Sequence, residues 1–165
     1  MKILIADDEP DLISQYTTIL EDKGHEVVSA LDGEACVFRY SKQLALNPDN
    51  PFDAVVLDYS MPKLNGLQTA KEILGLKPSQ RIIFASAYVQ ETLMDSIKNL
   101  NQIVELLQKP FSLQALVDTI EDKNIYEELA KLNVNVQHLM DLNPSHAQIR
   151  DYLDVLRKIQ KAKTF

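Results

Sequence analysis

The sequence predicts an α/β fold: a doubly wound, five-stranded parallel sheet followed by a helical C-terminal extension. Three observations predict it. Short β-branched runs alternate along the chain with longer segments of helical spacing. Each short run is almost continuously apolar, as a strand covered on both faces must be. The carboxyl ends of several runs carry acidic, hydroxyl or ammonium side chains, and in open parallel sheets that rim is where ligands gather.

The first strand, KILIA (2–6), runs straight into Asp7, Asp8, Glu9 and Pro10. Leu12, Tyr16, Ile19 and Leu20 then mark a helix, which Gly24 stops. EVVSA (26–30) is the second strand, and Asp32-Gly33 turns into a second helix containing Ala35, Phe38, Leu44 and Ala45. DAVVL (53–57) is the third strand, reached through a rather long loop, ALNPDNPFD. A third helix carries Leu67, Ala70, Ile73 and Leu74, and RIIFAS (81–86) is the fourth strand. Leu93, Ile97 and Leu100 mark a fourth helix, IVELL (103–107) a fifth strand, and Leu113, Leu116, Val117 and Ile120 a fifth helix.

Length and composition set the frame. At 165 residues, 45% hydrophobic and 25% charged, the chain suits one globular domain with room for a small extension. The single cysteine, Cys36, excludes an intrachain disulfide and a cysteine metal cluster. No apolar run approaches the roughly 18 residues of a membrane helix, and the start lacks a signal-peptide pattern. The expectation is a cytoplasmic protein. Net charge is −7, and residues 1–123 hold 11 Lys and Arg against 19 Asp and Glu. So acidic a body is unsuited to gripping a phosphate backbone. The remaining 42 residues hold 6 against 5, so the charge of the tail neither supports nor excludes that role.

Reading the strand ends in order gives Asp7-Asp8, then Asp58, then Ser86, then Lys109-Pro110. Each alone has an ordinary explanation. A DD pair favours the positive end of a helix dipole, and a lone Asp, Ser or Lys serves turns, caps and loops. Together they converge three carboxylates, one hydroxyl and one ammonium on one rim.

The set DD at 7–8, LDYSMPKLNG at 57–66, FASA at 84–87 and KPF at 109–111 closely resembles the receiver domain of two-component response regulators. The resemblance covers residues 1–122 and leaves 123–165 as an extension. It implies a flavodoxin-like sheet of strand order 2-1-3-4-5. It implies that Asp58 accepts a phosphoryl group from a sensor histidine kinase or phosphotransfer protein, so the chain is a self-modifying phosphoacceptor rather than a turnover enzyme. It implies Mg²⁺ held by Asp7, Asp8, Asp58 and the backbone carbonyl of Ser60. Lys109 and Ser86 would contact the phosphoryl oxygens, and Pro110 would follow a cis peptide that aims the lysine inward. The switched surface would be the one built from the fourth helix, fifth strand and fifth helix, offered to a downstream protein.

Two positions depart from the family pattern. Many relatives carry an aromatic residue three positions before the lysine, which turns inward with the hydroxyl; here Leu106 stands there. Tyr88, two residues beyond Ser86, is the nearest aromatic and either takes over that switching role or packs on the fourth helix. The resemblance also implies that the residue at this position, with the one at Ser60, influences how readily water reaches an acyl phosphate, so Tyr88→Ala is expected to speed dephosphorylation. A Mg²⁺-dependent phosphohydrolase with Asp58 as nucleophile is the rival from another class. Such enzymes often carry an acid-base Asp two residues on, where this chain has Ser60.

The tail is less informative. KNIYEELAKLN continues the fifth helix or forms a separate one through Ile125, Leu129 and Leu132. Asn143-Pro144 reads as a helix start, followed by one apolar stripe, Ile149, Tyr152, Leu153, Leu156 and Ile159. The favoured reading is a helical packing element or a homodimer contact. The alternative, a DNA-binding regulator with a minimal helix-turn-helix, is disfavoured by Asp151 and Asp154 in the would-be recognition helix. His25, His138 and His146 show no ligand spacing, and Cys36 reads as a packing residue.

Overall fold

A computed structural model describes residues 1–87, 95–97, 99–100, 104–142 and 144–163. Within them the chain forms two compact units, Met1–Val117 and Asp118–Phe165.

The first unit is built on a sheet of β1 (Lys2–Ala6), β2 (Glu26–Ala30), β3 (Ala54–Leu57), β4 (Ile82–Ser86) and β5 (Val104–Gln108). All pairings are parallel and the order is β2-β1-β3-β4-β5. The helices between them are α1 (Pro10–Asp22), α2 (Gly33–Leu46) and α3 (Gly66–Leu76). Of the predicted fourth helix, residues 95–97 are helical and Ile97 is buried. The predicted fifth helix is α4 (Leu113–Glu121).

The near-continuous apolar character of the strands follows from coverage on both faces. Leu4, Ala6, Val55, Leu57, Ile82 and Phe84 pack with Cys36 and Tyr40 of α2 and Ala70, Ile73 and Leu74 of α3. The alternate residues Ile3, Ile5, Val56 and Ile83 point the other way by the two-residue period and are equally buried. Burying such a side chain contributes roughly 1.5–3 kcal/mol, so the central strands dominate the unit's stability. Leu106 is half-buried against the core.

Local chemistry fixes where helices begin. Pro10 opens α1 at its first turn, where a missing N–H costs nothing. Asp32 caps α2 by accepting from the Ala35 N–H at 2.7 Å. Asn65 and Gln68 form a reciprocal capping box on α3. The long loop before β3 is tied down rather than loose: Asp53 accepts from the Lys2 N–H at 2.7 Å, and Gln80 donates to the Phe52 carbonyl while accepting from the Tyr40 hydroxyl. Cys36 is fully buried, and burial pushes its thiol up to about 12, which makes it inert packing. His25 is half-buried beside the N-terminal amine.

The second unit holds α5 (Ile125–Lys131), α6 (Val136–Asp141) and α7 (His146–Lys163). Ile125 and Leu129 of α5 pack on Ile149 and Leu153 of α7, so KNIYEELAKLN makes a helix separate from α4. Two expectations need correction. Helix α7 is capped by Ser145, whose hydroxyl accepts from the Gln148 N–H while Gln148 reaches back to the Ser145 N–H. Asn143 lies outside the described residues. The predicted single stripe on α7 is divided: Ile149 and Leu153 are buried, but Tyr152 and Ile159 are exposed. At 100° per residue, Tyr152 and Ile159 sit well round the helix from Leu153, which sequence spacing of 3 and 4 does not distinguish.

Candidate functional site

Strand register assembles the site. Ala6 of β1 lies beside Leu57 of β3, so the residues that follow, Asp7 and Asp58, leave adjacent strands at the same height. The Asp58 N–H donates to the Ala6 carbonyl at 2.9 Å. Ser86 lies beside Gln108, and the Lys109 N–H donates to the Ser86 carbonyl at 2.9 Å. Ser86 is buried, and the Lys109–Pro110 peptide is cis.

Lys109 reaches across the rim. Its Nζ donates to Asp7 Oδ2 at 2.7 Å and stands 3.7 Å from Asp58 Oδ1. Asp7 is 1% exposed and its other oxygen accepts from the Glu9 N–H at 3.0 Å. Asp58 is 7% exposed, whereas Asp8 is open to solvent. One oxygen from each of Asp7, Asp8 and Asp58 lies within 4.8 Å of the other two.

The electrostatics follow from that crowding. Burial pushes the Asp58 carboxyl up to about 6, with Asp7 and Asp8 adding to the rise and the Lys109 charge and the Tyr59 N–H opposing it. Burial also works against the Lys109 ammonium, but the Asp7 hydrogen bond and the Asp58 charge outweigh it and its pKa is raised. Three carboxylates against one ammonium leave surplus negative charge among hard oxygen donors, with Asp8 on the open side. That donor set fits Mg²⁺, which takes one or a few carboxylates and completes its shell with water and phosphate oxygens. Ser60 lies two residues beyond Asp58, exposed in the β3–α3 loop. Tyr88 lies outside the described residues.

The sequence marks Tyr16 only as an apolar position of the first helix and Phe111 only as the end of KPF, yet both frame the site. Their rings stack with centroids 5.8 Å apart, bracing α1 against the segment just past Pro110. Burial raises the Tyr16 phenol, and the charges of Lys109, Asp7 and Asp58 all act on it. A cavity of about 390 Å³ opens beside this stack, lined by Leu12, Tyr16, Lys109, Pro110 and Phe111 among others. Gly66, which ends the LDYSMPKLNG run noted in the sequence, has a clear steric role. A Cβ there would collide with the backbone carbonyl of Asp58, so only glycine lets α3 start this close to the loop. The Gly66 N–H donates to the Tyr59 carbonyl at 2.8 Å, closing that loop.

Known proteins share this arrangement. The family model described as response regulator receiver domain matches residues 3–121. Response regulator RR06 of Streptococcus pneumoniae is 32% identical over 121 residues, 73% of this chain and 52% of that protein, so the match spans about half of its length. Chemotaxis protein CheY of Listeria monocytogenes is 30% identical over 123 residues, covering 73% of this chain and 96% of that protein. Among solved structures, the Borrelia burgdorferi CheX–CheY–BeF₃–Mg²⁺ complex superposes with a TM-score of 0.64 at 25% identity, covering 73% of this chain and 86% of that one.

Proposed function

This chain belongs to the response regulator receiver domain family, and on that premise we propose that Asp58 is its phosphoacceptor. The chain is thus a phosphoacceptor of two-component signalling rather than a classical enzyme, and its family uses Mg²⁺ at the aspartate cluster. The observation that carries the residue assignment is the position of Asp58. It is a buried carboxylate at the end of the central strand, and unlike Asp7 it is not hydrogen-bonded to Lys109, whose ammonium stands 3.7 Å away.

The chemistry of these residues runs as follows. Above about pH 6 Asp58 is a carboxylate, and one of its oxygens attacks the phosphorus of a phosphohistidine. The P–N bond breaks, the imidazole leaves with the electron pair, and an acyl phosphate remains on Asp58. Asp7, Asp8, Asp58 and the Ser60 carbonyl would hold Mg²⁺, which when bound offsets carboxylate repulsion and the charge building on the phosphoryl oxygens. Lys109, anchored by Asp7, supplies a fixed positive charge beside Asp58. The buried Ser86 hydroxyl, on the strand paired with the lysine's, donates to the phosphoryl group once it is formed.

A receiver domain implies a histidine kinase partner. The finer reading adds a phosphotransfer protein as an equivalent donor, a downstream protein recognising the fourth-helix, β5 and α4 face, and a cytoplasmic setting. We assign residues 1–122 to the receiver and 123–165 to a helical extension. Leu106, half-buried against the core, stands where the ring would be, so the switch does not use an inward-turning ring at that position. The DNA reading of the tail draws little support, because Arg150 is paired with Asp122 and Arg157 with Glu128 within the second unit. Adding Mg²⁺ and beryllofluoride tests the assignment. Wild type is expected to show shifts in its ¹H–¹⁵N spectrum near Ser86 and Lys109, and Asp58→Asn none; equal shifts in both would overturn it.

A further inference from the structure

Helix α7 has two apolar faces, and among the described residues one is packed and the other exposed. Ile149 and Leu153 pack on α5. Tyr152, Val155 and Ile159 form a second stripe, 41%, 52% and 48% exposed. Their spacing of three and four residues is that of a coiled-coil seam, and Ala162 continues it.

The charges beside this stripe indicate what covers it. Arg150 and Arg157 turn toward Asp122 and Glu128 within the unit. Asp151 and Lys158, both exposed, lie one heptad apart on the same flank of the stripe. More broadly, Asp151 and Asp154 stand in the first half of the helix, and Lys158, Lys161 and Lys163 in the second. We propose that the stripe docks against the same stripe of a second copy of this chain, with the two α7 helices antiparallel.

Helix geometry supports that choice. With about 1.5 Å of rise per residue, a two-fold axis passing between Asp154 and Val155 sets Asp151 opposite Lys158 of the second copy, and Lys158 opposite its Asp151. In the same register Tyr152 falls midway between Val155 and Ile159 of the second copy, a knob over its hole. A parallel pair would instead turn Asp151 and Lys158 toward Leu156 and Lys163 of the second copy, leaving Asp151 without a cation and setting two lysines together. An 18-residue helix is about 27 Å long, and a pair of them buries less than the roughly 1,600 Å² of a standard interface. The dimer is therefore weak and forms with rising concentration.

Sedimentation velocity of the full chain from about 10 to 500 µM in low salt tests this. Wild type is expected to shift from monomer to dimer over that range, and Val155→Glu to stay monomeric with unchanged far-ultraviolet circular dichroism. Asp151→Lys and Lys158→Asp should each weaken association about tenfold, since two pairs become repulsive. The double variant, Asp151→Lys with Lys158→Asp, should restore it. Rescue is the discriminating readout, because a nucleic acid, another protein or the chain's own first unit would not be restored by the double exchange. A wild-type monomer up to about 500 µM, or a double variant no better than the singles, would overturn the proposal. It does not depend on the phosphoacceptor assignment, so Asp58→Asn should associate like wild type.

Discussion

Lys109 Nζ is bonded to Asp7 at 2.7 Å and stands 3.7 Å from Asp58, so one half-buried ammonium serves two carboxylates that would otherwise repel each other. Removing it should leave Asp7 buried without its cation. Lys109→Met is expected to cost about 3 kcal/mol in urea unfolding without divalent cation. Mg²⁺ should recover part of that loss, because it supplies positive charge to the same carboxylates. An unchanged unfolding midpoint would show that Lys109 contributes little net charge compensation.

Asp58 carries the complementary expectation. Its folded pKa is held up to about 6, above the roughly 3.9 of an unfolded Asp. A carboxyl raised in this way favours folding below its unfolded pKa and loses that contribution as pH rises through the folded value. Without metal, Asp58→Asn should therefore exceed wild type in stability by at most about 3 kcal/mol at pH 7.5. The gap should close as pH falls from about 6 toward 4. Urea unfolding across that range in EDTA checks it, and a gap independent of pH would contradict the burial of this charge.

Gly66 separates loop geometry from charge. An added methyl meets the Asp58 carbonyl, so Gly66→Ala is expected to cost about 1–3 kcal/mol and to slow phosphorylation by a small-molecule donor. Gly75, whose Cβ direction is open, is the control: Gly75→Ala should leave the rate unchanged and raise helix stability by about 0.5–1 kcal/mol. Equal rates for the two variants would show that the close approach at Gly66 does not matter to Asp58.

Much of this was legible in the sequence because it rests on period and punctuation. The strands KILIA and EVVSA coincide with β1 and β2, β3 and β4 each begin one residue later than expected, and β5 runs one residue past the expected 107, since apolar runs bounded by charge leave little room for error. Asp7, Asp8, Asp58 and Lys109 could be gathered on one rim because parallel strands send their carboxyl ends the same way. What spacing could not give was any contact made by side chains crossing between elements. The Tyr16–Phe111 stack joins residues 95 apart, and nothing local in α1 marks Tyr16 as more than one of its apolar positions. The tail failed for a related reason. Residues three and four apart on α7 read as one stripe, but Tyr152 and Ile159 sit on its outer side. The positions of α5 and α6 determine which part of that apolar surface is buried.

The central claim is that Asp58 itself takes the phosphoryl group. Incubating the full chain with Mg²⁺ and acetyl phosphate, trapping the acyl phosphate with borohydride and mapping the peptides by mass spectrometry tests it most directly. The expected result is a single modified aspartate at Asp58, absent in Asp58→Asn and absent when EDTA replaces Mg²⁺. Modification at Asp7 or Asp8 in wild type, or none at any aspartate under conditions that label a known receiver domain, would contradict it.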